Sequence, residues 1–323
     1  MLNRRTLLTR VAAASVLASG TAHAAGQNFP DFLADVAAEA QRSGISAETV
    51  RRAFSIIRPN DKVLELDRRQ PEFTLTWEQY RDGRLSAQRI QRGQQVFADN
   101  QALLDAVWHR FQVSPRIVVA IWGLETNYGG FTGNFNVVEA LATLAWEGRR
   151  SAFFRKELLT ALRILQEGDV APEQMRGSYA GAMGNPQFMP SSFERLAVDF
   201  DGDGRRDIWS STADSLASIA NYLARSGWRD DERWGREVLL PPGFDTSQAG
   251  RSNRRPLREW LRLGVRAADG TVLPPLEMEA SILLPGEAGG QAFAVYKNFH
   301  VIRRYNPSDY YALVIGLLSD RIA

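Results

Sequence analysis

Glu125 is the residue of this sequence best placed for acid–base chemistry. It follows an uninterrupted apolar run, Ile117-Val118-Val119-Ala120-Ile121-Trp122, and begins the turn Thr126-Asn127-Tyr128-Gly129-Gly130. Ser114-Pro115 ahead of the run is a helix start, with a hydroxyl for the cap and a proline whose missing N–H is not needed there. A helix apolar on every face is expected to be buried. Its last turn is a poor place for a negative charge, because the helix dipole is negative there. No Lys, Arg or Asp occurs from Ile117 to Gly148 to offset it. Burial and the dipole both favour the protonated carboxyl, which is the form a general acid needs near neutral pH. From the residues alone, a solvent-exposed Glu in a Gly-rich turn is an equally good description. Glu139 illustrates such a structural alternative, since Asn136-Val137-Val138-Glu139 is a capping box ahead of an apolar helix.

A second group of acids could hold a cation. Asp199-Phe200-Asp201-Gly202-Asp203-Gly204-Arg205 has the opening of an EF-hand loop: acids at positions 1, 3 and 5, Gly at 6, and the Arg205 backbone carbonyl at 7. Three carboxylates so close repel one another unless a cation sits among them. Position 12 departs from the pattern, with Ser210 in place of the bidentate Glu. Asp214 is then the candidate to close a longer loop, or else supplies helix N-terminal charge behind a Thr212 cap. The reading is a structural calcium ion that clamps the loop, with no catalytic cofactor.

These groups must be positioned by a mostly α (α+β) chain. Phe32, Val36 and Ala40 recur at helical spacing, Gly44 ends that run, and Ser46-Ala47-Glu48-Thr49 opens the next helix. The texture divides into an N-terminal helical domain (25–112), a core (113–236) carrying the acidic loop 199–214, a small β-containing subdomain (237–295), and a C-terminal segment (296–323) returning to the core. Pro241-Pro242-Gly243, Asp269-Gly270, Pro274-Pro275 and Gly289-Gly290 punctuate the third part, with strands expected over 277–284 and 291–299. Helix returns over 310–322.

Residues 1–24 combine Arg4-Arg5, the apolar stretch Val11–Ala18 and Ala22-His23-Ala24, the three regions of a secretory signal peptide. Arg4-Arg5 before Leu7-Leu8 also fits twin-arginine export. The stretch is too short to span a bilayer, so a cleaved, periplasmic product without a membrane anchor is expected. Removing it takes three arginines and no acid, turning a formal charge of +2 into −1. No basic face or zinc-finger spacing is left to bind nucleic acid. The absence of cysteine excludes thiol chemistry, disulfides and a lipidated cysteine, and three histidines, one in the signal, make no His-rich zinc site.

Gly123-Leu124-Glu125-Thr126 with Gly129 resembles the catalytic segment of the lytic murein transglycosylase B family (glycoside hydrolase family 103). Gly177–Ser192 is similar to the family's glycan-groove motif, Leu64–Phe73 to an N-terminal block, and Arg304-Tyr305-Asn306 through Tyr311 to a C-terminal one. The resemblance implies a lysozyme-like helical core in a soluble, non-lipoprotein member. It implies cleavage of the MurNAc-β-1,4-GlcNAc bond with formation of 1,6-anhydro-MurNAc. Glu125 would act first as acid and then as base on the muramoyl O6 hydroxyl. It also implies groove contacts from Ser178, Gln187, Tyr222, Tyr305, Asn306 and Tyr311, and carboxylate binding by Arg149 and Arg150. Taken by themselves, Ser178 fits turn chemistry, the arginine pair a solvated helix end, and Met183, Phe188 and Met189 the core. The implied partners are peptidoglycan glycan strands and, beyond them, cell-wall synthesis or envelope-machine proteins, the chain itself being a monomer. Two alternatives stay open: a muramidase resembling goose-type lysozyme, which delivers water to C1, and a non-catalytic peptidoglycan-binding protein. A calcium-sensing module is disfavoured by the missing position-12 Glu.

Overall fold

Short amphipathic helices fill the first third of the chain: α1 (Phe29–Arg42), α2 (Ala47–Ser55), α3 (Asp61–Arg68), α4 (Trp77–Arg84), α5 (Ala87–Asp99) and α6 (Gln101–Phe111). The computed structural model describes residues 27–68, 75–273, 277–286 and 289–323. The export signal, the 69–73 part of the Leu64–Phe73 segment, and Pro274-Pro275 lie outside them. Helix α1 buries Phe29, Phe32, Val36 and Ala40 along one stripe. Gly44, at φ 89°, turns the chain out of it, and the Ser46 hydroxyl accepts the Thr49 N–H to cap α2.

The middle of the chain forms α7 (Pro115–Thr126), β1 (Phe135–Asn136), α8 (Val137–Glu147), α9 (Ser151–Glu167), β2 (Arg176–Gly177), α10 (Pro190–Leu196) and α11 (Thr212–Arg225). Every residue of α7 from Ile117 to Gly123 is buried, as its all-round apolar sequence requires. Ser114 occupies the cap position but makes no side-chain cap bond. The expected capping box at α8 is half present. Asn136 accepts the Glu139 N–H, while the Glu139 carboxylate reaches out to the Asn60 side chain (2.8 Å) and the Arg58 N–H. That second bond ties α8 to the N-terminal helices.

The remainder contains β3 (Gly235–Leu239), β4 (Arg255–Pro256), α12 (Leu257–Arg262), β5 (Arg266–Ala267), β6 (Glu279–Leu283), β7 (Ala292–Val295), α13 (Lys297–Tyr305) and α14 (Asp309–Ile322). The strands form an antiparallel sheet in the order β4-β6-β7-β3-β5. Side chains alternate across a strand, so Ala292 and Ala294 face α12 while Phe293 and Val295 face the helices of the first core. The strand expected over 291–299 stops at Val295, and 297–299 are helical. The cause is Asn298, fully buried. Its amide donates to Arg229 O and Glu232 O and accepts the Arg229 N–H, anchoring the start of α13 to that loop.

Two helical cores result. The first gathers α5–α7, α11, α13 and α14. The second gathers α1, α2, α8 and α9 with Met183, Phe188 and Phe193. Tyr305 packs against both. No helix of the described residues is long and apolar enough to cross a membrane.

His300 on α13 supplies a pH test of this packing. Burial, and then the charges of Arg254, Arg303 and Arg251, push its pKa down from 6.5 to about 4. A histidine depressed by folding contributes stability above its unfolded pKa, and that contribution is lost as pH falls through the folded value. Thermal midpoints should therefore drop between pH 6.5 and 4. His300→Gln should flatten that limb; an unchanged pH profile in the variant would refute the assignment.

Candidate active site

Helix α7 ends with Asn127 in the left-handed conformation (φ 52°), its N–H donated to Gly123 O. The chain folds back so closely that a Cβ on Gly123 would meet the Tyr128 ring at 2.4 Å, hence the glycine. Tyr128 donates its hydroxyl to Arg89 O (2.9 Å), and burial pushes its pKa up to about 12. Thr126 Oγ1 donates to Trp122 O and accepts the Gly129 N–H. Trp122 Nε1 donates to Asn185 Oδ1 (2.8 Å), whose Nδ2 donates to Ile208 O and Trp209 O. The helix end, the 185–188 turn and the start of α11 are thereby held in one register.

Glu125 is half-buried on this end. Its Oε1 accepts the hydroxyl of Tyr311 at 2.6 Å. Tyr311, on α14, is 3% exposed. Burial first, and the Glu125 charge second, hold the Tyr311 and Tyr305 phenols well above their ordinary range, so both remain donors. Tyr305 donates to Pro186 O (2.6 Å) and Tyr222 to Arg304 O. The rings of Phe188, Tyr222 and Tyr305 form one tilted cluster, Tyr222 and Tyr305 with centroids 4.6 Å apart. An acid thus faces an aromatic wall built from α11, α13 and α14.

Other expected residues divide by what their side chains touch. Gln187, at φ 53°, spends both amide protons on Thr132 O (3.0 Å) and Gly184 O (2.8 Å), so its Oε1 is the atom turned to other work. Ser178 Oγ accepts the Ala180 and Ala182 N–H groups, the turn role its sequence allowed. Asn306 caps its own loop by accepting the Ser308 N–H. Met183 and Phe188 are core. Arg149 and Arg150 both grip Asp67, which is 3% exposed, while their own side chains stay half exposed. Asp67 and Asn185 lie in the Leu64–Phe73 and Gly177–Ser192 segments, where the sequence assigns neither a role of its own. Each binds partners tens of residues away, and such pairs leave no local pattern.

In the acidic loop, Asp199, Asp201 and Asp203 turn carboxylate oxygens to within 4.8 Å of one another. Asp199 also accepts the Gly202 and Gly204 N–H groups, and Asp201 the Ser211 hydroxyl. The Arg205 backbone N–H first, and its side chain second, hold Asp203 below the usual carboxylate range. This oxygen-only set suits a hard cation. Asp214 lies at the far end of the loop. It stands outside that trio, and its buried carboxylate accepts the N–H groups of Phe200, Asp201 and Asp207. It thereby holds the backbone of the loop. The cap of α11 is Ser211, one residue before the expected Thr212, and Ser210 donates to Asp207.

The chain belongs to the transglycosylase SLT domain family, whose model matches residues 28–320, and is an enzyme of the lytic murein transglycosylase class with a lysozyme-like, mostly α fold. It is 31% identical over 300 residues to the membrane-bound lytic murein transglycosylase B of Escherichia coli (strain K12), covering 87% of this chain and 80% of that one. Its structure is similar to SltB3 from Pseudomonas aeruginosa in complex with NAG-anhNAM-pentapeptide. That match has a TM-score of 0.90 and 48% identity over 92% of this chain and 80% of the other. It is also similar to the Escherichia coli lytic transglycosylase Slt35 in complex with calcium, with a TM-score of 0.76 and 29% identity over 91% and 92%.

Proposed function

We propose that the protein cleaves the MurNAc-β-1,4-GlcNAc bond of peptidoglycan and closes a 1,6-anhydro ring on the muramoyl residue. The observation that carries this is the single carboxyl at the end of α7, with one oxygen occupied by the Tyr311 hydroxyl. In this scheme Tyr311 holds Oε1 and the transferable proton is carried on Oε2. That proton passes to the bridging oxygen as the C1–O4 bond breaks, and the substrate's N-acetyl group shields the charge developing at C1. The carboxylate, still held by Tyr311, then takes the proton of the O6 hydroxyl while O6 bonds to C1. Glu125 ends as it began and no water is consumed.

Hydrolysis through two carboxyls would need a second acid opposite the first, about 5 to 10 Å away. The side chain set against Glu125 is a phenol, Tyr311, and not a second carboxyl, which favours the one-carboxyl scheme. Gln187 Oε1 suits an acetamido N–H, and the Ser178 hydroxyl proton suits a sugar or acetamido oxygen. Tyr222 and Tyr305 suit the C–H faces of the rings. Asn306 follows Tyr305 directly and suits a sugar hydroxyl. Arg149 and Arg150, oriented by Asp67, keep N–H groups for carboxylates of the stem peptide or lactyl group.

The SltB3 complex contains a NAG-anhNAM-pentapeptide, in keeping with this substrate. We place the mature enzyme in the periplasm. Asp199, Asp201, Asp203 and the Arg205 carbonyl would hold a calcium ion, whose charge offsets the repulsion of the three carboxylates. Mass spectrometry of sacculi digested by the purified enzyme tests the reaction. Muropeptides one water lighter than hydrolysed ones are expected; reducing-end hydrolysis products alone would make the enzyme a muramidase.

A further inference from the structure

Phe131 is 62% exposed, and its loop is fastened on every side. Its N–H donates to Thr126 O at 2.9 Å, the carbonyl next to Glu125. The carbonyl of the following residue, Thr132, receives the Gln187 amide at 3.0 Å. Gly133, at φ 98°, lies so close to the neighbouring segment that a Cβ there would stand 2.1 Å from Gly177 O and 2.7 Å from the Ser178 nitrogen. The phenyl ring therefore rises from the junction of the three segments that carry Glu125, Gln187 and Ser178. Scattered exposed apolar residues need no explanation; one on a pinned loop beside a catalytic acid is a different case. A phenyl face offers no hydrogen bond and no charge, and its natural complement is a flat apolar surface such as the C–H face of a pyranose.

We propose that Phe131 is a stacking platform for a sugar ring of the glycan strand beside the bond that is cleaved. This rests on the glycan-cleaving function proposed above and adds an apolar contact to it. The ring touches no reacting atom, so its contact strengthens binding of substrate and transition state alike and shows in KM more than in kcat.

The test compares Phe131→Ala and Phe131→Trp on purified peptidoglycan. The alanine variant should raise KM about fivefold, the scale of one aromatic contact, with kcat within about twofold. The tryptophan variant should restore KM, and neither substitution should lower the thermal midpoint, because the ring is already in solvent. A second readout is affinity for an N-acetylglucosamine oligomer measured in a Glu125→Gln background, where Phe131→Ala should weaken binding by the same factor. Unchanged KM and unchanged oligomer affinity in Phe131→Ala would overturn the platform, as would a fall in kcat accompanied by a lowered midpoint, which marks a packing role. If the wild type made no anhydro product, the proposed reaction would fail, and oligomer affinity would still decide the role of Phe131.

Discussion

Glu125→Gln should abolish cleavage of sacculi while leaving the protein folded and able to bind them. The amide keeps an oxygen to accept the Tyr311 hydroxyl and nearly the same volume, so the turn and its neighbours have no reason to move. It has no proton to give the departing oxygen and no lone pair basic enough to take the O6 proton. In the proposed scheme the one residue serves both half-reactions, so both should fail together. A loss of about a thousandfold in kcat is expected from the usual contribution of general acid–base catalysis. Sedimentation with insoluble peptidoglycan would report binding, and release of soluble muropeptides would report turnover. A variant within about tenfold of the wild type would mean that another group moves the proton.

The second large effect concerns folding. Asp214→Ala removes a fully buried carboxylate that serves the N–H groups of Phe200 (2.7 Å), Asp207 (2.8 Å) and Asp201 (3.4 Å). Burial raises the pKa of this acid, and the three amides oppose that rise. Without it, backbone donors are stranded where water has poor access, a loss of roughly 3 kcal/mol. The thermal midpoint should fall by about 6 to 12 °C, with or without calcium. Asp199→Ala should behave differently. The half-exposed side chain supports only the loop, so the variant should fold as the wild type does without calcium and should lose the rise in midpoint that calcium gives the wild type. An Asp214→Ala protein as stable as the parent would contradict this account of the loop.

Helix α7 could be read from the chain because its apolar run has no polar face and a Ser-Pro start. Glu125 stands out because a lone acid after such a run is chemically conspicuous. The clustering of Asp199, Asp201 and Asp203 could be read because their spacing is local and fixed by one turn of backbone. The failures share a cause. The strand expected across 291–299 rested on apolar alternation, which cannot show that a buried Asn298 finds its partners near Arg229. Thr212 and Ser211 are neighbouring hydroxyls, and only backbone geometry selects between them. The tyrosine that grips Glu125 lies 186 residues away, and the family resemblance, not any local pattern, marked it as a groove residue.

Tyr305 leans on both helical cores, while the acid grows from one of them and the amide-bearing turn packs into the other. The catalytic constellation is thus a measure of how the two halves are seated. A slip of about one ångström between them is enough to misalign a reacting pair. On the proposed mechanism, loosening at this joint should silence the enzyme before either half melts, so activity should fall on heating ahead of helix content.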